Sequence, residues 1–175
     1  MTADPRPLTG EPLALDLLNT RWMREGAVQD LLTDLDGLTV WLRANALDGR
    51  FEANAPTLRH VLQARDALHK AVHEGAPAPL DAVLEHGRIR ATLTAEGPGE
   101  VPEFRDPAWG PAWLAARDYL ELIGTAPDRI RGCAHEACIL HFFDTSRNGT
   151  RRWCSMAACG NRAKASRHYA RTKES

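Results

Sequence analysis

The sequence predicts an α+β chain, mostly helical, in two parts: a helical N-terminal half carrying one small β-hairpin, then a compact C-terminal module. Three observations predict it. Apolar residues recur at helical spacing in several stretches before residue 125, residues 88–94 alternate instead, and all four cysteines fall between 133 and 159.

The elements follow in chain order. "EPLALDLLNTRW" is read as a short opening helix, and "DLLTDLDGLTVWLRANAL" places Leu31, Leu35, Leu38 and Leu42 on one helical stripe. A longer helix is expected in "PTLRHVLQARDALHKAVHEG". There Leu58, Val61, Leu62, Leu68 and Val72 share a face, and Gly75 with the prolines after it ends the run. In "GRIRATLTAEGPGEVPEFRD", Ile89, Ala91 and Leu93 alternate with Arg88, Arg90, Thr92 and Thr94 before a Gly/Pro turn, the pattern of a hairpin. "DPAWGPAWLAARDYLELIGTAPDR" then sets Trp113, Ala116, Leu120 and Ile123 on one helical face, closed by Gly124 and Pro127. The boundary between the parts is placed there, giving 1–127 and 128–175. The stretches Pro77 to Pro79 and Gly97 to Pro102 are read as turn-like connections.

At 175 residues, 43% apolar and 26% charged, the chain suits one ordinary core with a small appended module. No run of 18 apolar residues and no basic-then-apolar leader is present, so neither a membrane span nor a secretion signal is predicted, and a cytoplasmic location is expected. The net charge of -1 conceals a split. Residues 1–127 carry 12 Lys and Arg against 19 Asp and Glu, and residues 128–175 carry 10 against 4. An acidic body therefore carries a basic, anion-seeking end.

The cysteines form two pairs of equal spacing, "CAHEAC" and "CSMAAC", fifteen residues apart. Each pair supplies two thiolates from one tight turn, which is what a tetrahedral ion requires, and disulfides are disfavoured without a secretion signal. One zinc ion is expected on Cys133, Cys138, Cys154 and Cys159, with His135 and His141 as less favoured substitutes. Four sulfur ligands close the coordination shell, so the ion is structural and contributes folding free energy that a module of under 50 residues lacks. Between the pairs, Phe142 and Phe143, the Asn148-Gly149 turn and "RRW" predict a hairpin. A knuckle, a hairpin and a second knuckle opening a helix give the order of a treble-clef finger.

The final helix places Lys164, Arg167, His168 and Arg171 at i, i+3, i+4 and i+7 on one face, and Arg147, Arg151 and Arg152 come from the hairpin. Even after a net -2 for a zinc tetrathiolate the module stays positive. This surface suits a nucleic-acid backbone, so DNA is the expected partner; an acidic protein partner is the alternative. Gly160 is expected to permit close backbone approach near the metal, Asn161 to hydrogen-bond the backbone of a cysteine loop or a zinc-bound sulfur, and Arg162 to serve as a brace or a phosphate contact.

The segment "CAHEACILHFFDTSRNGTRRWCSMAACGNRAKASRHYAR", with Cys159-Gly160-Asn161-Arg162 intact, resembles the CGNR zinc finger of bacterial proteins regarded as stress-induced transcription regulators. "PLALDLLNTR" is similar to the opening of the ABATE domain that precedes that finger. The resemblance implies DNA binding by the finger and an effector pocket in the front domain. A single finger has a small footprint, so specific recognition would require a homodimer or a protein partner.

In the front half, Asp16, Asn19 and Thr20 sit among leucines at i, i+3 and i+4 and must be hydrogen-bonded, either to the protein's own loops or to a ligand. They are the candidate ligand-binding residues, together with one or more of Trp22, Trp41, Trp109 and Trp113, although tryptophans in such numbers more often make a plain core. His69 and His73 stand at i and i+4 but no third ligand completes a metal site in sequence. No phosphate loop, nucleophile elbow or carboxylate pair stands out, and no enzyme is predicted.

Overall fold

The computed structural model describes residues 3–162 and 164. It contains mixed helices and three separate two-stranded antiparallel sheets. Helix α1 (Leu13–Leu18) leads into a hairpin of β1 (Arg21–Arg24) and β2 (Ala27–Asp30), followed by α2 (Leu35–Ala44), α3 (Ala55–Glu74) and α4 (Ala78–Leu84). A longer hairpin, β3 (Gly87–Thr94) and β4 (Gly97–Phe104), precedes α5 (Gly110–Thr125). Strands β5 (Ile130–Gly132) and β6 (His141–Phe143) and a π-type turn at Met156–Gly160 complete the described chain.

Helix α3 is the central support, packed by α1, α4 and α5. Its ends follow local chemistry. The Asn54 side chain accepts from Thr57 N, and Gly75 ends the helix in the left-handed region at φ 63°. The helix α2 begins at Leu35, later than the leucine stripe suggests, because the Asp34 carboxylate accepts from Gly37 N and caps it there. Leu31 is buried just before that cap, while Leu35 is exposed.

Three sequence expectations need correction. The β1–β2 hairpin was not anticipated; its two-residue turn, Glu25 and Gly26, has both φ values positive, the geometry that matches strand twist. Both stretches read as connections belong to elements: Pro77 to Pro79 opens α4, since proline fits the first helical turn, and Gly97 to Pro102 is paired strand within β4. On α5, Trp113 and Ala116 are buried with Ala112 and Ala115, but Leu120 and Ile123 are exposed along an open groove beside α3 and α4.

The four front-half tryptophans are all core residues, and one buried apolar cluster runs from Leu15, Trp41 and Val61 through Leu140, Phe142, Cys154 and Cys159. Trp109 is stacked between His60 and His86, with centroids 3.9 and 3.5 Å away. Among the described residues, no helix is long and apolar enough to cross a membrane.

Candidate metal centre and basic face

The first cysteine pair follows β5 and the second follows the loop after β6. Their four Sγ atoms all lie within 4.8 Å of one another. Cys138 and Cys154 are 3.8 Å apart, and Cys154 and Cys159 3.6 Å. A tetrahedron with zinc–sulfur bonds of about 2.3 Å has sulfur–sulfur edges of about 3.8 Å, whereas a disulfide needs about 2.05 Å. The spacing therefore fits a metal and excludes bridges. Cys154 N also donates to Cys133 Sγ at 3.4 Å.

The electrostatics point the same way. The hydrogen bond from Cys154 holds the Cys138 thiol down at about 5; Cys154 is pushed far up by that same bond and by burial. Burial raises Cys159 to about 12. One thiolate among four sulfurs opposes ionisation of the rest, and a divalent cation removes that opposition. The centre holds one structural zinc ion.

The loop between the pairs is built differently from the expected hairpin. Strand β6 pairs with β5, Ile130 opposite Phe143 and Gly132 opposite His141, and residues 151–153 form no strand. The buried Asp144 carboxylate replaces that ladder: it accepts Ser146 N at 2.9 Å and Arg151 N at 3.0 Å. Its ionised form is stabilised first by the Ser146 hydroxyl. Arg129 closes the loop by donating to the Asp144 and Ser146 carbonyls, and Gly149, at φ 61°, makes the turn.

Of the basic residues, Arg147, Arg152, Arg162 and Lys164 are exposed. The Arg152 guanidinium lies 5.3 Å from the Trp153 ring centroid. Arg151 is occupied internally: it donates to Trp153 O and Cys154 O, reaches Glu11 at 3.3 Å and covers the Phe142 ring at 4.2 Å. Arg167, His168 and Arg171 lie outside the described residues. Gly160 is buried where a Cβ would meet the Met156 thioether at 2.6 Å, so the close approach is by that side chain. Asn161 is exposed and, among the described residues, its side chain bonds neither cysteine loop.

Two family models match. Residues 129–172 match the CGNR zinc finger, and residues 11–126, more than half of the chain, match ABATE, described as "Putative stress-induced transcription regulator". The chain belongs to the ABATE family. No curated protein matches it.

Within the ABATE region, the three polar residues of the opening motif are buried and bonded to protein groups. Asp16 accepts from Arg6 Nη1 at 2.7 Å, Asn45 Nδ2 at 2.9 Å, Trp41 Nε1 at 3.1 Å and Gly10 N at 3.2 Å. Thr20 donates to Leu17 O and accepts from Arg65 Nη1. Asn19 reaches across to the finger: its Nδ2 donates to His141 O and its Oδ1 accepts from His141 N, both at 2.8 Å. Two residues along, where an antiparallel strand presents its groups on the same edge, Phe143 N donates to Glu11 Oε2 at 2.9 Å. ABATE side chains thus finish the free edge of β6.

Sequence reasoning missed Arg6, Glu11, Arg65 and Asp144. Each is a charged residue whose partner is distant or whose burial no local pattern reports. Asp30 shows the effect: bonds from Arg65 and Arg21 hold its carboxyl below the usual range despite burial.

Proposed function

We propose that this ABATE protein is a DNA-binding transcription regulator, with a sensing unit of residues 1–127 and a DNA-binding finger of residues 128–175. The observation that carries the proposal is the placement of Arg147, Arg152, Arg162 and Lys164 as exposed cations on one zinc-clamped scaffold. Arg167, His168 and Arg171 extend the basic run in sequence. Guanidinium and ammonium groups on a rigid support suit phosphate oxygens, and they displace condensed counterions when they bind. Arg151, engaged by Glu11 and the Cys154 carbonyl, is assigned to bracing the loop that presents its neighbours.

The finger is read as a treble clef: a first knuckle at Cys133 to Cys138, a loop turning at Gly149, and a second knuckle opening into helix at Cys159. Ser155 supports that opening, its hydroxyl accepting from Ala158 N at 3.1 Å. The front unit is read as the part that changes the finger's disposition in response to a ligand, because Asn19 and Glu11 join it directly to β6.

Fluorescence anisotropy of the zinc-loaded full chain with a random-sequence duplex at low salt tests the reading. Binding that disappears on chelation and returns with zinc supports it. No binding to duplex, with retention of an acidic protein partner, would instead assign the finger to protein docking.

A further inference from the structure

Between the front half and the finger lies a cavity of about 510 Å³, within the size range of small-molecule sites. Its apolar walls come from Leu18 on α1, Val28 on β2 and Ile139 and Leu140 of the finger. None of Asp16, Asn19 and Thr20 lines it. Two of its polar residues are more than nine-tenths buried, Arg65 at 3% exposure and His141 at 7%. Each carries a ring or guanidinium nitrogen without a partner among the described residues, Arg65 Nε and His141 Nδ1. Both nitrogens are closed to water and so lie behind the wall; the cavity itself has a basic lining, Arg21, Arg65, His69, His73 and His141.

We propose that this seam cavity binds a small organic acid with an apolar body, its carboxylate held on the wall that Arg21 and Arg65 share. Guanidinium groups only donate, and Arg21 meets Asp30 through Nε alone, so a group with two acceptor oxygens suits that wall. Arg65 and Arg21 share a single carboxylate, Asp30, which leaves a surplus of positive charge on that wall. The one acidic lining residue, Asp66, is exposed and solvated. Cys133 and Cys138 border the cavity as well, and the negative charge of zinc-bound thiolates turns the carboxylate away from them and the apolar body toward Ile139. Residues of both halves line the site, so occupancy stabilises their contact. That regulatory consequence rests on the transcription-regulator reading; the binding itself does not.

Calorimetry and thermal shift on the zinc-loaded full chain, in the absence of DNA, test it with octanoate and benzoate against 1-octanol and benzyl alcohol at matched ionic strength. Carboxylates are expected to raise the melting temperature and to bind at least about tenfold more tightly than the alcohols, the discrimination of one charge-assisted hydrogen bond. Val28→Trp, built from an exposed position, should fill the cavity and abolish binding while leaving the fold intact. Arg21→Gln should weaken the acids and leave the alcohols unchanged. The proposal is overturned by no binding up to about 10 mM, by equal affinity for acid and alcohol, or by unaltered binding in Val28→Trp. DNA binding is measured separately, so failure here leaves the regulator reading standing, and the reverse.

Discussion

Replacing Asn19 by alanine removes two hydrogen bonds at once and strands their partners. The Asn19 amide is fully buried and exchanges one donor and one acceptor with the backbone of His141, both at 2.8 Å, in the manner of a neighbouring strand. Without it, the His141 N–H and C=O stay on an edge where alanine offers nothing. A buried unsatisfied group costs about 1–3 kcal/mol, so the pair costs about 2–6 kcal/mol before any water enters the space left behind. Asn19→Asp should be at least as damaging, because it keeps an acceptor for the N–H but turns a carboxylate oxygen toward the carbonyl. Urea unfolding of the zinc-loaded chain, followed by tryptophan fluorescence, measures the loss. Hydrogen exchange at the His141 amide locates it, since protection there should fall while that of α3 falls only by the global amount. A change below about 0.5 kcal/mol with unaltered protection at His141 would refute the bridge.

Three further outcomes follow from the same geometry. Burial, with lesser contributions from His73 and His69, depresses the His141 pKa from 6.5 to about 4. The unfolded chain therefore binds the extra proton first, and stability present above pH 6.5 is lost on acidification toward pH 4, by about 2 kcal/mol between pH 7.5 and 5. Chemical unfolding across that range should show His141→Phe losing less than wild type by this amount, zinc release being common to both. Gly37→Ala should destabilise by about 3 kcal/mol or more, because the new Cβ would stand 1.7 Å from the Leu31 carbonyl oxygen, a backbone atom that cannot swing aside; thermal denaturation reads it. Chelation should release one zinc per chain and make four thiols titratable, with loss of structure beginning at residues 128–164, where metal binding supplies folding free energy.

The metal centre was the most legible part of the sequence, because two tight cysteine pairs bring their own local geometry and leave only the closing of a short loop to tertiary structure. Helices α3 and α5 and the β3–β4 hairpin were legible for a similar reason: periodicity, caps and turn residues lie within each segment. What failed was longer in range. The leucine stripe ran past the Asp34 cap, and the strand partner of Phe142 was sought after it, in "RRW", when it stands before it at Arg131. Asp144 decides that outcome by accepting the Arg151 N–H, and no alternation or spacing signals it. The need of Asn19 for a partner could be read from its apolar company; that the partner is His141, more than a hundred residues away, could not. Likewise, the basic surplus after residue 128 was countable, but only the packing of Arg151 against Glu11 and Phe142 separates a brace from an exposed cation.

The most direct test of whether the exposed cations of the zinc-clamped module engage DNA is the salt dependence of duplex affinity for wild type and for a variant with Arg147, Arg152, Arg162 and Lys164 changed to alanine. All four side chains are exposed, so the variant should keep its zinc and its fold. The log–log slope should become shallower by about 0.9 for each phosphate contact removed, up to about 3.6 for four. An unchanged slope, or no binding by wild type even at low salt, would contradict it.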